Sequence, residues 1–147
     1  MITSLRMIAI GLTALALVPS AAHLFELPGK IDLGRDAYFT VQAVYAGWSL
    51  FGLPIIAAII ANVALFLAER RRAPGPARWA LIAASLIAVS LGIFFTWIFP
   101  ANQATANWTV PPENWAALRR DWEYGHAANA FIVGTALIAT AMAIVKR

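Results

Sequence analysis

Residues 79–97 read WALIAASLIAVSLGIFFTW: 19 positions without a charge, closed at each end by a tryptophan. Wound as an α-helix at about 1.5 Å per residue, Trp79 and Trp97 stand roughly 27 Å apart. That is close to the ~30 Å hydrocarbon core of a bilayer, and tryptophan is enriched at its two faces. The stretch therefore reads as a membrane-crossing helix with its interfacial anchors in place.

Working outward, the same pattern recurs. Charge-free stretches cover 7–25, 37–68, 79–112 and 124–145, each at least the ~18 residues a spanning helix needs. The second and third are over-long, so each holds one span and an interfacial extension. Gly47, Gly52 and Pro54 predict a kink in the second. The expected fold is all-α: one domain over 1–147, a four-transmembrane-helix bundle with spans near 5–26, 39–68, 78–99 and 117–145. Alanines such as Ala57, Ala61 and Ala64 allow the helices to approach closely.

Charge distribution sets the expected orientation. With four spans, Arg6, Arg70, Arg71, Arg72, Arg78, Lys146 and Arg147 fall on one side, and Lys30, Arg35, Arg119 and Arg120 on the other, diluted by six acidic residues. The positive-inside rule then predicts both termini in the cytoplasm and a multi-pass protein of the plasma (inner) membrane. A competing reading starts from Arg6, the apolar run to Val18, Pro19 and Ser20-Ala21-Ala22, which resemble a cleavable signal peptide. Cleavage there would leave three spans and begin the chain at His23; the uncleaved helix is the expected state.

Composition narrows the function classes. The chain is 61% hydrophobic and 12% charged, with a mean hydropathy of +0.73, against about 25% charged residues in soluble domains. Its +4 net charge sits in short runs beside apolar segments, which points to membrane topology and not to nucleic acid. The absence of cysteine excludes disulfides, thiolate metal sites and cysteine nucleophiles.

Only two histidines exist. His23 lies 17 residues after Arg6 and His126 lies 20 residues before Lys146, which puts them about 26 and 30 Å from the inner face. They share a depth near the outer interface. Glu26 projects from the same face of the first helix as His23; Arg119, Trp122 and His126 form one stripe of the fourth, and Glu123 is spaced to pair with Arg119. Three readings of this set stay open. The residues tie a bundle together as snorkelling and capping groups. Alternatively, His23, Glu26 and His126 ligate a transition metal, or the two histidines a haem. In the third, a histidine is a general base and Arg119 or Asn102 stabilises an oxyanion, with no cofactor.

The loop after the third span, residues 100–109, mixes amides and hydroxyls with Trp108 and leads through Pro111 and Pro112 to Trp115. It begins at the level of the histidines, where it is either a plain polar connector or a lid over an apolar cavity. Asn107-Trp108-Thr109 also fits the glycosylation acceptor pattern.

Several motifs resemble one family. His23-Leu24-Phe25-Glu26-Leu27-Pro28-Gly29-Lys30, Val41-Gln42 and Tyr45-Ala46-Gly47-Trp48 are similar to its first half. Pro100-x-Asn102, Thr105-x-Asn107-Trp108-Thr109 and the run from Trp115 to His126 (W-x-x-L-R-x-x-W-E-Y-x-H) are similar to its second. The family comprises small four-helix membrane proteins, classed as a domain of unknown function and related to the anthrone oxygenases. The resemblance implies a membrane oxidoreductase that oxidises a lipophilic, phenolic or quinone-like substrate with molecular oxygen. The H-L-x-E-L-P type seen here is a distant branch from the characterised oxygenases. On this reading His126 or His23 removes a proton with Glu26 beside them, and Asn102 and Arg119 hold the oxyanion. Trp108, Trp122, Asn107 and Gln42 complete the substrate site, which faces outward, and no cofactor is required. The alternatives are a non-catalytic membrane protein that binds a lipophilic ligand or serves as an accessory subunit, and a haem or metal protein; a homo-oligomer is compatible with each.

Overall fold

The computed structural model describes residues 2–145, and every regular element among them is helical. Lys146 and Arg147, two of the basic residues counted toward the inner side, lie outside the described residues, as does Met1. Four stretches are long and apolar enough to cross a membrane: Ile2–Lys30, Trp48–Glu69, Pro74–Ala104 and Trp115–Val145. The first is α1 (Ile2–Lys30) and the last is α6 (Trp115–Val145).

The stretch 37–68 is not one kinked helix. It divides into a short α2 (Arg35–Gln42), two 3-10 turns (Ala43–Tyr45 and Trp48–Phe51) and α3 (Gly52–Glu69). The break falls at Gly47, whose φ of +84° is a left-handed conformation that a residue without Cβ takes at no steric cost. Pro54 then sits in the first turn of α3, where its missing N–H has no helical acceptor to lose. The expected kink is therefore a complete break, and residues 39–47 are not part of the spanning helix, which runs from Trp48 to Glu69.

The third crossing is composite. α4 (Pro74–Ile93) widens into a π-helical turn (Phe94–Ile98) and resumes as α5 (Phe99–Ala104). Pro100 follows that turn and offers no N–H to the carbonyl a turn before it, a local reason for the ladder to loosen here. Trp97 is half exposed, as an interfacial anchor would be. Trp79 instead packs inward against both alanine-rich core clusters.

α1, α3, α4 and α6 form a closed ring: α1 touches α3, α3 touches α4, α4 touches α6, and α6 returns to α1. Buried alanines make this possible. Ala16, Ala58, Ala83, Ala136 and Ala139 pack with Ile87 and Val133 in one cluster, and Ala9, Ala61, Ala80 and Ala143 with Leu65 in another. Between lipid-solvated helices, close backbone approach and dispersion replace the hydrophobic drive of water. The second cluster joins the start of α1 and the end of α6 to the end of α3 and the start of α4, so among the described residues these helix ends share the end of the bundle that carries the Arg70-Arg71-Arg72 turn.

Two polar ties hold the ring. Midway along it, Asn62 Nδ2 donates to Thr13 Oγ1 (3.0 Å) and to the Ala58 carbonyl (2.9 Å), while Thr140 Oγ1 donates to Asn62 Oδ1 (3.0 Å). Nearer the arginine end, Arg6 forms a buried ion pair with Glu69. Arg6 is thus a neutralised bundle residue; among the described residues Arg70, Arg71, Arg72 and Arg78 carry exposed basic charge at this end.

Candidate functional site at the histidine end

At the opposite end, α1 and α6 bring His23 and His126 together, with ring centroids 4.1 Å apart. Trp122, one turn before His126, stands against both rings at 4.6 and 4.4 Å. Tyr45 and Trp48, from the 3-10 segment beyond α2, close the other side of His23 at 4.4 and 5.5 Å. The arrangement depends on the break at Gly47, which turns that segment back onto α1. Nδ1 of each histidine is buried and carries no hydrogen bond.

Lys30 is the centre of the polar network. The last residue of α1, it is nonetheless only 7% exposed. Its Nζ donates to Tyr45 Oη (2.7 Å) and Gln42 Oε1 (3.3 Å), and pairs with Glu123 Oε1 (3.1 Å) and Glu26 Oε2 (3.6 Å). The ammonium also lies 4.4 Å from the Tyr45 ring centroid and 4.9 Å from that of Trp122. A charge this deep needs such partners, because desolvation costs several kcal/mol per ion and only opposite charge and hydrogen bonds offset it.

Chains of hydrogen bonds run out from Lys30 on two sides. Tyr45 donates its hydroxyl to Glu26, whose side chain is 41% exposed. Inward, Tyr38 donates to Glu123 Oε1 (2.9 Å) and accepts from Gln42 Nε2 (2.9 Å). Glu123 is fully buried and its Oε2 has no partner. Burial, then the neighbouring Glu123 carboxylate, hold the Tyr38 phenol well above its ordinary pKa, so it stays a donor.

Helix spacing puts Glu123 within reach of Arg119, but the structure pairs it with Lys30. Glu123 faces α1, and Arg119, one turn earlier, reaches the Leu33 carbonyl (2.6 Å) past the end of α1 while stacking on Tyr38 and Trp115. Arg119 therefore fastens the turn that carries Lys30, and it is directed at backbone and not into an open cavity.

Asn102 lies at the end of α5, where its Oδ1 accepts from both Trp122 Nε1 (2.8 Å) and Trp108 Nε1 (3.1 Å). The two indoles are 3% and 5% exposed and pack on Tyr38, Ile98 and Ala101. The loop behind them is tightly wound: Ala106, Asn107 and Trp108 all have positive φ (48°, 55° and 63°). Such a run is costly for residues with a Cβ. It is held by Asn107 N–H to the Asn102 carbonyl (2.7 Å) and Trp108 N–H to Thr105 Oγ1 (3.0 Å). This segment drives Trp108 inward as a plug and leaves Asn107 exposed. On the far side, Gly125 lets the π-helical turn approach α6: a Cβ there would lie 2.9 Å from Ile98 Cγ1.

The open part of the site is a recess of about 480 Å³ lined by Glu26, Lys30, Thr40, Val41, Val44 and Tyr45, within the range of small-molecule sites. Among the sequence-derived candidates, Glu26 lines it directly, His23 lies behind Tyr45, and Gln42 holds Lys30 from below. Lys30, Tyr38, Tyr45 and Trp48 are additions that the structure makes to that set. A signal for Lys30 is present in the sequence, since it comes seven residues after His23 and four after Glu26, on one helix stripe.

Among the described residues no group of three or more His, Asp or Glu side chains is arranged to hold a metal ion. The two imidazoles, 4.1 Å apart as they stand, leave no space for a porphyrin between them. Comparison with family models, with curated proteins and with solved structures finds no match to this chain.

Proposed function

We propose that this protein is a membrane-embedded oxidoreductase of the oxygenase type, acting without a cofactor on a lipophilic phenolic or quinone-like molecule, with its site at the outward-facing end of the bundle. The observation that carries the reading is the buried Lys30 ammonium, hydrogen-bonded to a phenol, paired with two carboxylates and lining an open, apolar-walled recess. Ionisable groups inside a membrane protein are expensive and mark functional positions by default. The family resemblance supplies the reaction class.

In an anthrone-like substrate the acidic methylene lies across the ring from an aryl ketone and is conjugated to it through the flanking arenes. The His23–His126 pair takes one of its protons. Lys30 gives up its 3.3 Å contact to Gln42 and Tyr45 turns its hydroxyl from the part-exposed Glu26, so that both donate to the enolate oxygen that forms. This assignment moves the oxyanion role from Asn102 and Arg119, which are committed to two indoles and to the Leu33 carbonyl. The enolate passes electrons to oxygen and becomes a hydroperoxide, which loses water to leave a ketone. One methylene and one O2 thus become one carbonyl and one water.

Oxygen uptake by the purified protein in lipid nanodiscs, with a hydroxylated anthrone and corrected for empty discs, tests the proposal. One O2 should be consumed per ketone formed. His126→Ala should lower turnover at least ~100-fold, the range of a lost general base; uptake no faster than in empty discs, or unchanged in the variant, rejects the assignment. The same recess suits a protein that only binds such a molecule, and saturable binding without uptake selects that reading.

A further inference from the structure

The recess opens sideways. Val41 and Val44 form its apolar wall, and both are exposed, Val44 at 65%. The chain on either side remains apolar and exposed at Phe25 (81%) and Leu50 (69%). In a bundle whose ends are hydrated, apolar side chains this bare belong against lipid and not water. The polar floor behind them carries one cation, Lys30, and one carboxylate, Glu26, with the Tyr45 hydroxyl between. With Glu123 also paired to Lys30 from behind, the group has no surplus positive charge, which suits a neutral, weakly acidic hydroxyl and matches a phosphate dianion poorly. His23 stands directly behind that floor, 3% exposed, with its Nδ1 buried without a hydrogen bond and 4.0 Å from Glu26 Oε2.

Resting on the oxidoreductase reading, we infer that the recess admits its substrate laterally from the surrounding leaflet. The Val41–Val44 wall carries the apolar body, and Lys30 and Tyr45 hold a single acidic hydroxyl or its conjugate oxygen. The substrate class is then membrane-dissolved aryl alcohols with a fused-ring or alkyl body, and compact water-soluble phenols are excluded. Asn107 and the plug that carries Trp108 take no part in admission.

The test is equilibrium binding of a radiolabelled 4-alkyl-1-naphthol to the full-length protein in phosphatidylcholine nanodiscs, with empty discs subtracted. One saturable site per chain is expected. The O-methyl ether, Lys30→Met and Val44→Trp should each weaken binding at least tenfold, and unsubstituted phenol should not compete. Val44 is exposed, so the tryptophan narrows the mouth without entering the core; its unfolding temperature should match the parent's, whereas Lys30→Met is assayed below its own lowered midpoint. Equal binding of the ether, or full binding by Val44→Trp, overturns the inference. So does loss of saturable binding when the discs are made with anionic phosphatidylglycerol, which would assign the recess to a lipid headgroup. Oxygen uptake in the same discs separates the two proposals. Binding as described with no uptake rejects the oxygenase and keeps the lateral site, whereas uptake insensitive to Val44→Trp does the reverse.

Discussion

Two buried polar networks lie along the same bundle and are finished to different degrees. At mid-depth both polar atoms of the Asn62 side chain have partners at ordinary length, and Thr13 and Thr140 also bond the carbonyls of Ala9 and Ala136. At the histidine end, Nδ1 of His23, Nδ1 of His126, Oε2 of Glu123 and Nε of Arg119 are buried with none. A closed network has nothing left to offer a ligand and serves to set which helix faces meet. An open one retains unpaired donors and acceptors at a free-energy cost of about 1–3 kcal/mol per group. Arg6 Nε and Glu69 Oε2 at the arginine end and Asn129 Oδ1 on α6 are also buried without a hydrogen bond, so unpaired atoms alone do not mark a site. The difference teaches that chemistry is to be sought where such atoms gather behind an open recess, as they do behind Glu26 and Lys30.

The largest expected effect comes from breaking the open network at its centre. Lys30→Met leaves the fully buried Glu123 carboxylate without its counter-charge, and should destabilise the protein by about 3–5 kcal/mol while abolishing turnover. Combining it with Glu123→Gln should restore most of the unfolding temperature but none of the activity; recovery of both would make Lys30 a structural residue. The closed network should show the inverse pattern. Asn62→Leu should cost about 1 kcal/mol in denaturant unfolding and leave oxygen uptake unchanged, and a tenfold fall in uptake would erase the contrast between the two regions.

Tyr38 sharpens the comparison from the alkaline side. Its folded-state pKa is raised, by burial first and by Glu123 second, above the ordinary value of 10.0. The stability this contributes is complete below pH 10 and is lost as pH rises beyond it, because the unfolded chain releases the proton while the folded chain retains it. Tyr38→Phe should therefore flatten the decline of the unfolding temperature above pH 10; an unaltered slope would show that the phenol titrates freely. Smallest of all, Ala106→Gly should stabilise by about 0.5–1 kcal/mol, since its φ of 48° suits glycine. A neutral result would mean that Asn102 and Thr105 already absorb the strain.

The four crossings are legible in the sequence because length and hydropathy alone decide them, and the shared depth of the histidines comes from counting helix rise. Lys30 reads as an outer-side charge; its spacing puts it on the His23 and Glu26 stripe, but its burial depends on α2 folding back through the turn after α1, a tertiary event that the stripe alone does not announce. The Arg119–Glu123 spacing misleads for a related reason: i,i+4 separation gives opportunity, but a buried ammonium on the neighbouring helix competes with it. Trp108 reads only as part of a connector or lid, since no pattern in residues 100–109 announces three successive left-handed residues that turn it inward. Exposed spans are written in composition, whereas a site assembled from the ends of four segments is written in turns.

The π-helical turn at Phe94–Ile98 has a bearing on how this chain tolerates change in length. At 3.6 residues per turn each added residue rotates the remainder of a helix by about 100°, so the extra residue in that turn sets the azimuth of α5. It is what aims the Asn102 side-chain carbonyl at Trp122 and Trp108. A one-residue deletion between positions 93 and 98 would repair the helix into a regular one and, in doing so, swing Asn102 away from both indoles. A shortening that looks conservative in a row of apolar letters would unlatch the lid of the site, while the same deletion in the exposed Arg70–Arg72 turn would alter only a tether.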